Sequence, residues 1–228
     1  MNPVAYLEFE ETASAGGAIT KFGGKPWGLR QEDWPTSAKG GQPLEFIAQI
    51  VLEPRLFPGA GNELAYVFWD PRTLRYDDGV VLIRSASELT GAPAEGPSIH
   101  RLVLGPRKFL FREKRYEPCE FAVRLKYDEE PSLSAVTTMF NEDDPASEQL
   151  LKEHGFTIDG LVAKVDVAKI GGTPHFIQSD EPRTSTDRLL LQLPDSRFPF
   201  HMELGDAGTF FAFLGGDLKS GYGFWECY

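Results

Sequence analysis

The chain has 228 residues, 41% of them hydrophobic and 25% charged, and a formal net charge of −11. That composition is too apolar and aromatic for disorder, and the acidity excludes nucleic acid as the principal ligand, because phosphate binding depends on basic surface. No apolar run reaches the roughly 20 residues that cross a bilayer, and the N-terminus carries no basic and apolar leader, so no membrane partner is expected and the expected location is cytoplasmic.

Val4 to Glu10 alternates like an edge strand, and Thr12 to Gly17 is a linker of small residues. At Gly23-Gly24, followed by Pro26, the chain makes a tight turn, since glycine permits positive φ and proline fixes the next φ. Trp27 and Trp34 fall in the loop beyond it, before an apolar strand from Leu44 to Leu52 with Gln49 in its middle. Leu64 to Trp69 is the expected antiparallel partner. Val80–Ile83, Ile99–Leu104 and Glu120–Lys126 read as further strands. One helix is expected, Ala146–His154, started by Asp144-Pro145 and stopped by Gly155. Leu189–Leu193, with Gln192 inside it, and Thr209–Phe213 are the last strands. The aromatic tail from Asp217 to Tyr228 is expected to dock, because freeing Tyr222, Phe224, Trp225 and Tyr228 together exposes a large apolar patch.

The order of these pieces repeats. Lys21-Phe-Gly-Gly-Lys-Pro26 returns as Lys169-Ile-Gly-Gly-Thr-Pro174, and each copy is followed by an apolar strand with one glutamine and then by a glycine-led aromatic strand. The expected fold class is α+β, a mostly antiparallel sheet core built from an internal duplication, with few short helices. A single domain is expected, with repeat 1 over about 19–71, a central insert over 72–163, repeat 2 over 164–216 and a docked tail over 217–228.

Little in the sequence announces chemistry. His100, His154, His175 and His201 have no metal-ligand spacing, and Cys119 and Cys227 are far apart and expected to be reduced. No catalytic residue, metal or cofactor is nominated. Gln49 and Gln192 sit in apolar strands, where an unpaired amide costs about 1–3 kcal/mol, so each is expected to pin neighbouring backbone. Charge, in contrast, is segregated. From Arg101 to Lys126 eight bases face three acids, and from Tyr127 to Gly160 nine acids face one base. The acidic segment nominates Asp128, Glu129, Glu130, Glu142, Asp143 and Asp144 as a surface that steers a basic protein partner.

Lys21-Phe-Gly-Gly24 with Pro26, Trp34-Pro35, Pro43 to Ile50, Pro58-Gly59, Pro174 to Gln178, Leu189 to Gln192, Gly205 to Gly208 and the closing Trp225-Glu-Cys-Tyr228 together resemble the YwqG-like bacterial family. The resemblance implies a duplicated α+β fold with an antiparallel core. It implies no settled activity, although some members look like immunity proteins paired with secreted toxins. The leading expectation is therefore a cytoplasmic, monomeric, non-enzymatic protein-binding module. Its concrete form is an immunity protein that neutralises a cognate toxin, such as a nuclease effector, by direct binding. The alternatives are a small-molecule or glycan-binding domain using Trp27, Trp34 and Asp206, and an enzyme of unrecognised type.

Overall fold

Four segments of the chain are apolar without alternation: β3 (Glu45–Val51), β4 (Leu64–Trp69), β10 (Arg188–Pro194) and β11 (Thr209–Leu214). Continuous apolar runs belong to strands buried on both faces, and every residue of β4 and of β11 is buried. The computed structural model, which describes residues 1–38, 40–72, 79–108, 111–141, 143–178 and 182–227, shows what covers the two faces. With β1 (Asn2–Glu11), β2 (Lys21–Gly23), β5 (Gly79–Arg84), β8 (Glu120–Glu130), β9 (Lys169–Gly171) and β12 (Gly221–Glu226), these strands close a ten-stranded antiparallel barrel. Its order is β1-β8-β2-β3-β4-β5-β12-β11-β10-β9. Inner side chains from both halves form one cluster, including Phe22, Phe57, Trp69, Phe200, Phe210 and Trp225, so the lumen is packed with side chains.

The duplication is visible in the register. Gln49 pairs with Tyr66 as Gln192 pairs with Phe211, and Tyr66 lies opposite Leu82 as Phe211 lies opposite Phe224. Even the bulges coincide: β3 slips between Phe46 and Ala48, and β10 between Leu189 and Leu191. Repeat 1 therefore consists of β1 to β5 and repeat 2 of β8 to β12, which is wider than the 19–71 and 164–216 read from sequence. The tail is not a separate appendage. Residues 221–226 are β12, the counterpart of β5 and its direct neighbour.

The first strands are exchanged. β1 pairs with β8 along its whole length and with β9 of repeat 2, whereas β8 pairs with β2 of repeat 1. Each repeat thus completes the other's sheet, and the barrel has no open edge. Repeat 2 carries an insertion of three helices, α1 (Leu133–Phe140), α2 (Ser147–His154) and α3 (Ile158–Val165). Only α2 was expected, with Gly155 at φ 70° ending it as anticipated. The other two carry a helical apolar spacing, Leu133, Val136 and Phe140 in α1 and Ile158, Leu161 and Val165 in α3, that runs for only eight residues each. Their caps were present in the sequence, since Ser132 Oγ accepts from the Ala135 amide and Thr157 Oγ1 from that of Gly160. Outside the barrel, β6 (His100–Lys108) and β7 (Phe111–Pro118) form a separate two-stranded arm.

Candidate functional site

The Lys-x-Gly-Gly motif is where sequence pattern and buried charge meet. Lys21 Nζ is 2.7 Å from Glu120 Oε1 and donates to the Lys25 carbonyl at 2.7 Å. Lys169 Nζ reaches both oxygens of Glu130, at 3.0 and 2.9 Å, and donates to the Thr173 carbonyl at 2.6 Å. The glycines make the room. The Gly24 amide donates to the Cys119 carbonyl at 3.0 Å and the Gly172 amide to that of Pro3 at 2.8 Å, while a Cβ on either glycine would collide with the neighbouring glutamate. Both lysines therefore hold structural ion pairs. Burial pulls the Lys169 pKa down to about 8 against the opposing pull of Glu130, and the pair is fully enclosed.

This geometry removes Glu130 from the acidic surface. It is 0% exposed, accepts from the Thr173 amide at 2.7 Å and from the Tyr6 hydroxyl at 3.2 Å, and cannot meet a partner. Asp128 is half-engaged, 2.7 Å from Lys164 Nζ, which holds its carboxyl below the usual range. Glu129 and Asp143 are exposed; Asp144 is partly buried and accepts from the Ala146 amide at 2.9 Å, capping the turn into α2. Glu142 lies outside the described residues. The nominated set is thus not one surface, because adjacent residues of β8 point to opposite faces of the barrel wall.

Nor do the aromatic candidates form a ligand platform. Trp34 is 8% exposed, packs 5.2 Å from Phe68 and donates its indole N–H to the Leu44 carbonyl at 3.0 Å, so it is a core residue. Trp27 is half-buried beside it, its amide held by Gln49 Oε1 at 2.8 Å and its carbonyl by the Tyr66 hydroxyl at 2.7 Å. Asp206 is exposed in a turn between Gly205 and Ala207, both at positive φ. Among the described residues no group of three or more His, Cys, Asp and Glu is placed to hold a metal ion. The Cys119 thiol, beneath the Ile99 carbonyl at 3.5 Å, is pushed up to about 12 by burial, which makes it a poor nucleophile.

What the sequence reading missed is the arm. Leu102 lies opposite Tyr116 and Leu104 opposite Lys114, so these four share one face. Leu102, Leu104 and Tyr116 are 38, 50 and 53% exposed, and apart from Met1 and Ile19 they are the exposed large hydrophobics among the described residues. Arg112 lies on the same strand two residues before Lys114, and both are exposed. The opposite face is tied down, with Arg101 reaching Glu11 at 2.6 Å and Glu117 at 3.1 Å. Alternation in Ile99–Leu104 was legible, but a period of two does not say whether the apolar face is covered.

At the root of the arm, Glu45 of β3 stands 3.8 Å from His100 Nδ1. Burial pushes its pKa up to about 7 from 4.5, against a smaller lowering by Arg72. The folded state therefore binds more protons than the unfolded state across that window, and stability falls as pH rises through it, the cost being complete above the folded pKa. We expect Glu45→Gln to gain on the parent by about 2 kcal/mol between pH 5 and pH 8, the scale set by 1.36 kcal/mol per pKa unit. Urea melts of both proteins at the two pH values check this, and a gap that does not change with pH sinks it.

Two grooves adjoin the helical insertion, the first of them between residues of both repeats. One, of about 620 Å³, lies among Pro3, Leu56, Phe57, Gly171, Leu189 and Ser185; the other, of about 720 Å³, lies between α1 and Pro174–Phe176. Leu133 and Pro174 line both. No family model matches this chain, and no curated protein aligns with it.

Proposed function

We propose that this protein is a binding module that acts through protein contact, most concretely a cytoplasmic immunity protein that occludes a toxin. The observation that carries this reading is the arm. A barrel whose strands are all paired and whose lumen is packed projects one hairpin with Leu102, Leu104 and, beside the His201 ring, Tyr116 exposed, and with Arg112 and Lys114 next to them. Exposed apolar residues rimmed by charge mark protein interaction sites, and a Tyr with flanking cations has the composition of a binding hot spot. The partner surface that fits is apolar at its centre and acidic at its rim. The resemblance to the YwqG-like family, some of whose members look like immunity proteins, supports the same reading.

The test is co-expression and co-purification with the product of the neighbouring gene, using Leu102→Asp and Tyr116→Asp. Both positions are exposed, so unfolding midpoints should stay close to the parent's, whereas affinity for the partner should fall at least tenfold, about 1.4 kcal/mol. Reversal of Glu129, Asp143 and Asp144 should weaken binding less than either arm substitution. Arm variants that bind and protect as well as the parent would remove this reading.

A further inference from the structure

The arm is a sheet of two strands, so each of them has an outer edge. One hydrogen bond fixes which main-chain groups point there. The His201 amide donates to the His100 carbonyl at 2.7 Å, in an antiparallel bridge on the side of β6 away from β7. The N–H and C=O of a strand residue point to the same side, and that side alternates along the strand. Arg101 and Val103 therefore bond to Glu117 and Arg115 of β7, whereas Leu102 and Leu104, like His100, aim their main-chain groups outward. Pro118 opposite His100 fits this register, since a proline has no N–H to give to the ladder. On β7 the outward positions are Arg112, Lys114 and Tyr116.

The two edges differ. Arg112 and Lys114 put exposed charge on the β7 edge, a common guard against strand pairing. The β6 edge has leucines at its outward positions, and a third strand is already started on it. His201 is that start, with its ring 5.1 Å from the Tyr116 ring on the apolar face of the arm. Continued antiparallel, this strand would set Pro199 opposite Leu102. Pro199 has no N–H for the Leu102 carbonyl, and the chain leaves instead through the 3₁₀ turn Asp195–Arg197. No described residue bonds to the outward groups of Leu102 and Leu104.

We propose that the arm takes its partner by strand addition: an extended segment of the partner protein runs antiparallel to β6 and bonds to the main chain of Leu102 and Leu104. This deepens the reading of the arm as a protein-binding surface and rests on it. The chemistry of the segment follows from what it would lie against. Every second side chain falls beside Leu102, Leu104 and the His201 ring, so these are apolar. The others fall on the face of Arg101. From Arg101 to Pro118 the arm holds six bases (Arg101, Arg107, Lys108, Arg112, Lys114 and Arg115) against Glu113 and Glu117, so the alternate residues are acidic. In such a complex the main chain supplies affinity and the alternating side chains supply specificity.

The probe is a short capped peptide of alternating valine and glutamate, titrated into the full-length protein and followed by amide shifts in NMR. Saturable shifts are expected at Leu102, Leu104 and His201. In the register that His201 sets, the valine amides face β6 and the glutamate amides face away. N-methylation of the valines should therefore weaken binding at least tenfold, and N-methylation of the glutamates should not. Lysine in place of glutamate should also weaken it at least tenfold. In the protein, Leu104→Pro should bind at least tenfold more weakly than Leu104→Ala, because proline removes one outward amide and leaves the ladder to β7 intact. Lys114→Pro, on the other edge, should bind like the parent. The methylated peptides carry the test should Leu104→Pro lower the unfolding midpoint. With the product of the neighbouring gene, sensitivity to Leu102→Asp together with equal binding by Leu104→Pro and Leu104→Ala would keep the arm as a binding surface and remove strand addition. Indifference to all three would remove the reading of the arm itself. The proposal is overturned by absence of saturable shifts up to millimolar peptide, by shifts away from β6, or by equal effects of the two methylations. A concentration-dependent dimer of the parent that Leu104→Pro abolishes in sedimentation equilibrium also overturns it, since the edge then belongs to a second copy.

Discussion

Lys169→Met should destabilise the protein by about 3–5 kcal/mol, the range for stranding one partner of a buried ion pair. Both side chains of the Lys169–Glu130 pair are 0% exposed, so neither water nor a rotamer change can satisfy Glu130 once the ammonium is gone. The pair is not thereby a net source of stability, because burial already depresses the Lys169 pKa to about 8 in spite of the carboxylate beside it. Its contribution is specificity: Lys169 on β9 meets a residue at the far end of β8 only when the exchanged first strands are in register. Lys169→Met with Glu130→Gln should therefore recover at least half of the loss, since the amide oxygen still accepts from Thr173 and no charge is stranded. Lys21→Met should cost less, because Glu120 is 13% exposed and can be hydrated. Urea unfolding of the four proteins measures this, and a Lys169→Met cost below about 1 kcal/mol, the level of an exposed pair, would show that the pair is hydrated in solution.

Gln192→Leu is the second large effect. The side chain is fully buried, accepts from the His175 amide at 2.9 Å and donates to the carbonyls of Val165 at 2.7 Å and Val167 at 3.3 Å. Leucine has nearly the same volume, so the loss is polar rather than steric. Each stranded buried backbone group costs about 1–3 kcal/mol, and the expected total is about 3 kcal/mol or more. Gln49→Leu makes the same change in the other repeat, yet should cost less. Its amide donates to Gly17 at 3.0 Å and Ile19 at 2.8 Å, in the partly exposed linker before β2, where water can replace it. Equal costs for the two substitutions would refute this account.

These two substitutions separate what the sequence made legible from what it could not. The glutamines were readable as backbone pins, because an amide inside an apolar run has to find a partner. The lysines of the repeated motif were equally conspicuous, but their carboxylates come from Glu120 and Glu130, neither of which occupies an equivalent position in the two repeats. Glu130 read as one more member of an acidic run, and Trp34 as a loop aromatic. Both are buried, because neighbours distant in sequence close over them. A local pattern records periodicity and turn chemistry, and it carries no information about which distant strand covers a face.

The sequence by itself determined the duplication, eight of the strands, the turns at the glycine pairs and the glycine that ends α2. Each of these follows from backbone conformational preference and from side-chain period within a few residues. Only the tertiary structure decided that the first strands are exchanged between repeats, that the barrel closes without an edge, and that the two-stranded arm leaves Leu102, Leu104 and Tyr116 exposed. The physical reason is common to all three. They depend on pairings between residues up to more than a hundred positions apart, selected by register, burial and the satisfaction of charge rather than by any property of the segment itself.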